Sequence, residues 1–180
     1  MRLFAAIKPP DWVCRQLLTL QKGVSGARWT ELEKLHITLG FFGEVEDALA
    51  EILDMELGRI HEAGFELSLE GVGHFGTKTP HALWAGVKES AALTDLHKQC
   101  KGAARRAGIA LEKRRYTPHL TLAYLKREAA INRLIAFEKN GAAFKTKPFL
   151  VDRFYLLSSH VKKRGPNLYR EEACYPLLGR

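Results

Sequence analysis

His36-Ile37-Thr38-Leu39 and His119-Leu120-Thr121-Leu122 are two copies of one pattern, His, apolar, Thr, Leu, 83 positions apart in a chain of 180 residues. In an extended strand successive side chains alternate faces, so His and Thr two positions apart point the same way. Ile37, Leu39, Leu120 and Leu122 then turn toward a core, and each stretch offers an imidazole and a hydroxyl together on its open face. One such stretch is most simply a half-buried histidine beside a strand-former. Two of them, in corresponding places, ask for a common explanation.

Working outward from each copy, the surroundings match. Leu3 to Lys8 reads as a short buried strand, and Pro9-Pro10-Asp11 supplies a helix start in which Asp11 can cap. Val13, Leu17, Leu18 and Leu20 give that helix a buried face. The strand Leu35 to Phe42, closed by Gly43-Glu44, carries the first motif, and an amphipathic helix runs from Asp47 to His61. In the second half Phe65 to Val72 and Ala82 to Val87 read as strands. Ser90 caps a helix ending at Gly108, and His119 to Leu125 is the strand carrying the second motif. A short helix over 129–138, strands over 149–158 and 168–175, and the loop Ser159 to Asn167 complete the chain. Leu3 precedes His36 by 33 residues and Ala82 precedes His119 by 37. The expectation is an α+β fold: a duplicated, bilobal unit in a single domain over 1–180, with antiparallel sheets lining a central groove and helices packed outside.

Composition limits the partners. At 46% hydrophobic residues the chain can bury a core. No stretch approaches the roughly 18 consecutive apolar residues of a membrane span, and Met1 to Pro10 has too short an apolar run for a signal peptide. Three widely spaced cysteines without a Cys-x-x-Cys suggest reduced thiols in a reducing compartment, hence a cytoplasmic protein. The formal charge is +8, concentrated at Lys113-Arg114-Arg115, Lys126-Arg127 and Lys162-Lys163-Arg164. Such clusters suit a polyanionic partner, or are simply solvated surface. Nothing signals oligomerisation, so a monomer is expected.

Two imidazoles and two hydroxyls around one groove suit phosphodiester cleavage. Attack on phosphorus needs one group to take a proton from water and another to protonate the departing oxygen, and histidine does both near neutral pH. Nucleophile and leaving group lie in line on opposite sides of phosphorus, so acid and base should be opposed. His36 and His119 are the candidate catalytic pair. Thr38 and Thr121 are placed to donate hydrogen bonds to the non-bridging oxygens. A metal site would want three or four ligands, usually with a carboxylate or Cys nearby, and neither motif has one adjacent. No metal or other cofactor is expected.

The paired His-x-Thr-x pattern resembles the signature of the 2H phosphoesterase superfamily, and within it the RNA 2′,3′-cyclic phosphodiesterases, also called 2′-5′ RNA ligases. Arg2 to Ile7 resembles the family's opening strand, and Arg28-Trp29-Thr30 with Leu35 to Val45 its first motif. Arg114 to Leu122 resembles the second, and Ser158 to Gly165 with Tyr169 the closing hairpin. The resemblance implies metal-independent opening of an RNA 2′,3′-cyclic phosphate end to a 2′-phosphate, and slow 2′-5′ joining as the reverse-type reaction. Either imidazole can be the base; the assignment taken forward puts His119 on the water and His36 on the leaving O3′. One position departs from the family pattern: an Arg common three residues after the second Thr is Tyr124 here. Its charge would come from Arg115, Lys126 or Arg127.

Phe42, Tyr116 and Phe4 are candidate nucleobase contacts, since stacking accepts any base; the other reading of Phe4 and Phe42 is core packing. The loop His160 to Arg164 is a candidate backbone contact. Two other functions are consistent with the residues: the same chemistry on a small cyclic phosphate such as ADP-ribose 1″,2″-cyclic phosphate, and an RNA-binding module without turnover.

Overall fold

A computed structural model of the chain describes residues 1–126, 129–162 and 165–177. In order, the elements are β1 (Arg2–Ile7), α1 (Asp11–Leu18), β2 (Arg28–Trp29), a 3₁₀ turn (Leu32–Lys34), β3 (Ile37–Glu44), α2 (Asp47–Gly58), β4 (Phe65–Leu67) and β5 (Leu69–Phe75). Then come β6 (Ala82–Val87), α3 (Ala91–Arg106), β7 (His119–Tyr124), α4 (Ile131–Gly141), β8 (Phe149–Val151), β9 (Arg153–His160) and β10 (Leu168–Pro176). Ser90 caps α3 as expected, its hydroxyl accepting from the Leu93 amide at 3.2 Å. Gly108 follows that helix at φ +81°, a left-handed turn that suits glycine. Asp11 is the first residue inside α1 rather than its cap; Pro10 holds the cap position and no side chain bonds there. The strands expected over 65–72 and 149–158 each divide, and β4 pairs with β8 in a small separate sheet.

The expected sheets are two leaves of one antiparallel sheet, ordered β10-β9-β1-β3-β7-β6-β5 with β2 alongside β7. The repeat is visible in the pairing: β1 lies beside β3 across α1, and β6 beside β7 across α3. The leaves meet at a single residue pair, Ile37 opposite Leu120. This seam is the centre of the repeat. One face buries Leu3, Ala5, Ile7, Leu39, Leu83, Leu120 and Leu122 against Val13, Leu17, Leu53, Leu57, Leu93, Leu96, Leu134 and Phe137 of the four helices. Each fully buried Leu contributes about 1.5–3 kcal/mol. The helix-free face carries a smaller apolar group, Phe4, Ala6 and Leu157, with Tyr155 and Tyr169 against it. Burial holds the thiols of Cys14 and Cys100 protonated, the first pushed up to about 11 and the second to about 12, while Cys174 is exposed. Among the described residues, no helix is long and apolar enough to cross a membrane.

Candidate active site

The central pair fixes the geometry of both motifs. With Ile37 opposite Leu120, the register carries His36 across from Thr121 and Thr38 across from His119. The two histidines are then diagonal neighbours, with Cβ atoms on the order of 7 Å apart. That span allows a tetrahedral phosphorus between two imidazoles.

Each motif then departs from strict alternation in the same way. Ala6 pairs with Thr38 but Ala5 with Gly40, so Leu39 is an extra residue in β3. Trp84 pairs with Thr121 but Leu83 with Ala123, so Leu122 is the extra residue in β7. A bulge of this kind re-aims the side chains beyond it. It puts the third residue after each threonine, Phe41 and Tyr124, on the open face, where they are 65% and 45% exposed. The carbonyl of each bulged leucine is satisfied from outside its ladder. Leu39 O accepts from His97 Nδ1 at 2.5 Å, and Leu122 O from the Thr30 amide at 2.8 Å and Gln21 Nε2 at 3.4 Å.

The imidazoles are oriented alike. His36 Nδ1 lies 2.7 Å from Lys34 O, and His119 Nδ1 2.7 Å from Thr117 O. A carbonyl only accepts, so Nδ1 carries the hydrogen in both rings and Nε2 is the nitrogen left for proton transfer. Each ring also has an aromatic wall. His36 stands between Phe4 and Tyr169, at 5.1 and 5.5 Å between ring centres. Phe75 meets His119 edge-on at 4.7 Å. Burial draws both histidines below their ordinary value, opposed by the carbonyl bonds. For His36 the positive charges of His119 and Lys8 add to the fall.

A cavity of about 260 Å³ opens from the motifs on the His36 side. It is lined by His36, Thr121, Tyr124, Tyr169, Asn167 and Arg28, among others. The Arg28 guanidinium lies over the Tyr124 ring, 5.4 Å from its centre. Lys34 also lines the cavity and is tied to Glu31 at 2.6 Å. That bond, the Lys34 charge and the more distant charge of Lys162 hold the Glu31 carboxyl below its usual range.

The other sequence candidates divide. Phe42 is only 4% exposed and sits in the helix-side core, so it is not a nucleobase contact; the bulge at Leu39 gives that place to Phe41. Tyr116 stacks flat on His97, 3.7 Å between ring centres, and its hydroxyl donates to Thr38 O at 3.1 Å. It braces the first motif instead of facing the groove. Phe4 reaches the site but is buried, behind His36 and Phe41. Arg115 is exposed and lines neither cavity. Lys126 lines a second cavity, of about 200 Å³, with Ala129 and Arg133. Arg127, Lys163 and Arg164 lie outside the described residues. Arg28, Phe41, Phe75 and Tyr169 were not singled out as site residues by sequence reasoning. A signal existed for Phe41: both motifs continue as Leu, a small residue, then an aromatic.

Comparison with known proteins agrees with this geometry. Two opposed His-x-Thr strands at the seam of a duplicated antiparallel sheet define a 2H phosphoesterase. Residues 9–163 match the model of the 2′-5′ RNA ligase superfamily, and the chain belongs to that family. An RNA 2′,3′-cyclic phosphodiesterase of Archaeoglobus fulgidus is 38% identical over 133 residues, 71% of this chain and 74% of that protein. One from Thermotoga maritima is 30% identical over 175 residues, 92% of this chain and 90% of that protein. A third, from Geobacillus stearothermophilus, is 33% identical over 154 residues, and the match spans 84% of this chain but about half, 48%, of that longer protein. Among solved structures, Escherichia coli LigT complexed with 3′-AMP superposes with a TM-score of 0.77 at 27% identity, covering 98% and 97% of the two chains.

Proposed function

We propose that this chain is an RNA 2′,3′-cyclic phosphodiesterase that opens a cyclic phosphate end to a 2′-phosphate without a metal. The observation that carries this reading is the matched pair of imidazoles, each with Nδ1 committed to a backbone carbonyl and Nε2 free to move a proton. Among the described residues, no group of three or more His, Cys, Asp and Glu stands together as metal ligands. The proton transfers are assigned to the two imidazoles on the strength of their matched orientation.

The division of roles follows the cavity. It opens beside His36, between Tyr124 and Tyr169, and there receives the terminal ribose, so His36 Nε2 protonates the departing O3′. His119 Nε2, on the other side of phosphorus, takes a proton from the attacking water. Water oxygen bonds to phosphorus as the P–O3′ bond breaks, leaving the phosphate on O2′. Thr38 and Thr121 donate to the non-bridging oxygens, whose charge they hold through the reaction. The bound phosphate anion favours a protonated imidazole and opposes the effect of burial. With an RNA 5′-hydroxyl in place of water, O5′ bonds to phosphorus as P–O3′ breaks and His36 protonates O3′, so the same site joins RNA ends through a 2′-5′ linkage in vitro. The two leaves act as lobes of one domain, and the protein acts as a monomer in the cytoplasm during RNA processing.

The test is an oligoribonucleotide ending in a 2′,3′-cyclic phosphate, incubated with EDTA and analysed for its terminal phosphate. A 2′-phosphate is expected. Complete loss of activity in EDTA would sink the metal-free route, and a 3′-phosphate product would mean that the other ester bond breaks. Full activity in both His36→Ala and His119→Ala would remove the site. Faster turnover of ADP-ribose 1″,2″-cyclic phosphate than of the RNA end would move the substrate to a small nucleotide.

A further inference from the structure

The two motif strands bring imidazoles and hydroxyls to the groove but no fixed positive charge, while a phosphodiester carries a full negative one throughout the reaction. The structure assigns that charge to Arg28, delivered by the two-residue strand β2 as the phosphate-binding cation of this site. The inference rests on the phosphodiesterase reading above and adds a residue to it.

Three observations converge on Arg28. Beyond the seam β3 leaves β7, and β2 takes its place: Arg28 pairs with Tyr124 and Trp29 with Ala123. The Thr30 amide then bonds the carbonyl of the bulged Leu122 at 2.8 Å, so the bulge that aims position 124 at the groove also anchors β2. Residues opposite one another in an antiparallel pair share a face. Arg28 is thereby delivered to the place from which a side chain at position 124 would reach into the cavity.

The second observation is the guanidinium's setting. It lies over the Tyr124 ring, inside the cavity that also holds His36 and Thr121. Stacking on an aromatic face orients a guanidinium while leaving its N–H edge to bind oxyanions, a geometry lysine does not reproduce. The third compares Arg28 with Lys34, the other cation that lines the cavity, and with Lys8, whose charge reaches His36. Lys34 is engaged by Glu31 and Lys8 by Glu171, whereas among the described residues no carboxylate lies within ion-pair distance of Arg28.

The assignment also gives the symmetric site a direction. Phe41 and Tyr124 occupy equivalent places after the two motifs, but among the described residues a cation lies on the face of Tyr124 and none on that of Phe41. The groove is therefore positive on one side of the seam, and the phosphate oxygens turn toward Thr121 and Arg28.

The test measures kcat/KM for wild type, Arg28→Ala, Arg28→Lys and Arg28→Ala/Tyr124→Arg. The substrates are adenosine 2′,3′-cyclic phosphate and an oligoribonucleotide with the same end. Arg28→Ala should lower kcat/KM about a hundredfold on both, the scale for removing one donor to a developing oxyanion. Arg28→Lys should recover only a minor part. Relocating the charge with Tyr124→Arg should restore at least tenfold, which a merely structural role for Arg28 would not produce. A loss confined to the oligoribonucleotide would place Arg28 on an upstream phosphate and overturn its assignment to the reacting one. An Arg28→Ala enzyme within twofold of wild type would overturn the proposal outright. Inorganic phosphate binding, measured by calorimetry on wild type and Arg28→Ala, decides independently of turnover. If wild type opens neither substrate, the function is wrong, yet weaker phosphate binding by Arg28→Ala still upholds the anion site and unchanged binding removes it.

Discussion

Replacing Tyr116 by Phe removes one oxygen and tests how the first motif is held. The Tyr116 hydroxyl donates to the Thr38 carbonyl at 3.1 Å, while its ring stacks on His97, whose Nδ1 bonds the next carbonyl, that of Leu39. Residues from the second half thus grip two successive carbonyls of the first motif, just past the single pair that joins the leaves. The phenylalanine keeps the stack and loses the hydrogen bond, worth about 1 kcal/mol net. For a domain of this size that is roughly 2–4 °C in melting temperature. A loosening of about 1 kcal/mol expressed wholly in the transition state lowers kcat/KM by roughly fivefold at most. The matching control is Ser90→Ala, which removes the α3 cap at a similar cost of about 1 kcal/mol without touching either motif. Calorimetry and turnover of a cyclic phosphate are measured on both variants. Both should melt 2–4 °C low, and only Tyr116→Phe should lose activity. Equal kcat/KM in the two variants, or an unmoved melting temperature in Tyr116→Phe, would refute the idea that the bond positions Thr38.

Other outcomes follow from the same contacts. His119→Gln removes a positive charge that lowers the His36 pKa, so the His36 ring should titrate at higher pH in a proton NMR titration, as it should in Lys8→Met. Phe42→Ala empties a core position and should cost about 3–5 kcal/mol by denaturant unfolding. Phe41→Ala, one residue earlier and largely exposed, should stay within roughly 0.5 kcal/mol while raising KM for the RNA end. His36, His97 and His119 are all held below their ordinary pKa, chiefly by burial. The unfolded chain therefore binds more protons, so the stability these groups contribute is present above about pH 6.5 and lost as pH falls through their folded values. Melting temperature should drop between pH 7.5 and 5, and less steeply in His97→Gln.

The fold was legible where local chemistry decides it. Ser90 and Gly108 bound α3, Ala82–Val87 is a strand end to end, and the duplicated unit follows from two motifs with matching approaches. The four motif residues were legible because alternation holds from His36 to Thr38 and from His119 to Thr121. It fails one residue later. A bulge depends on the partner strand, and its trace in Leu39-Gly40-Phe41-Phe42 is the Leu, small, aromatic order shared with Leu122-Ala123-Tyr124. Its place just after the first motif made Phe42 a candidate for the groove; Phe42 packs in the core and the structure presents Phe41 instead. β2 was missed for a related reason: two residues have no periodicity, and Arg28-Trp29 is a strand only because β7 has an open edge beside it. The cation sought near Tyr124 in sequence stands beside it in space, 96 positions earlier in the chain.

The central claim is that two opposed imidazoles, one as acid and one as base, cleave a cyclic phosphate. The pH dependence of kcat/KM on an RNA 2′,3′-cyclic phosphate end tests it most directly, for wild type, His36→Ala and His119→Ala. Wild type should give a bell with both apparent pKa values belonging to the coupled pair and an optimum on the acid side of neutrality. His119→Ala should lose the acidic limb and His36→Ala the basic one, each with activity reduced at least a hundredfold. A bell kept intact in either variant would contradict the account.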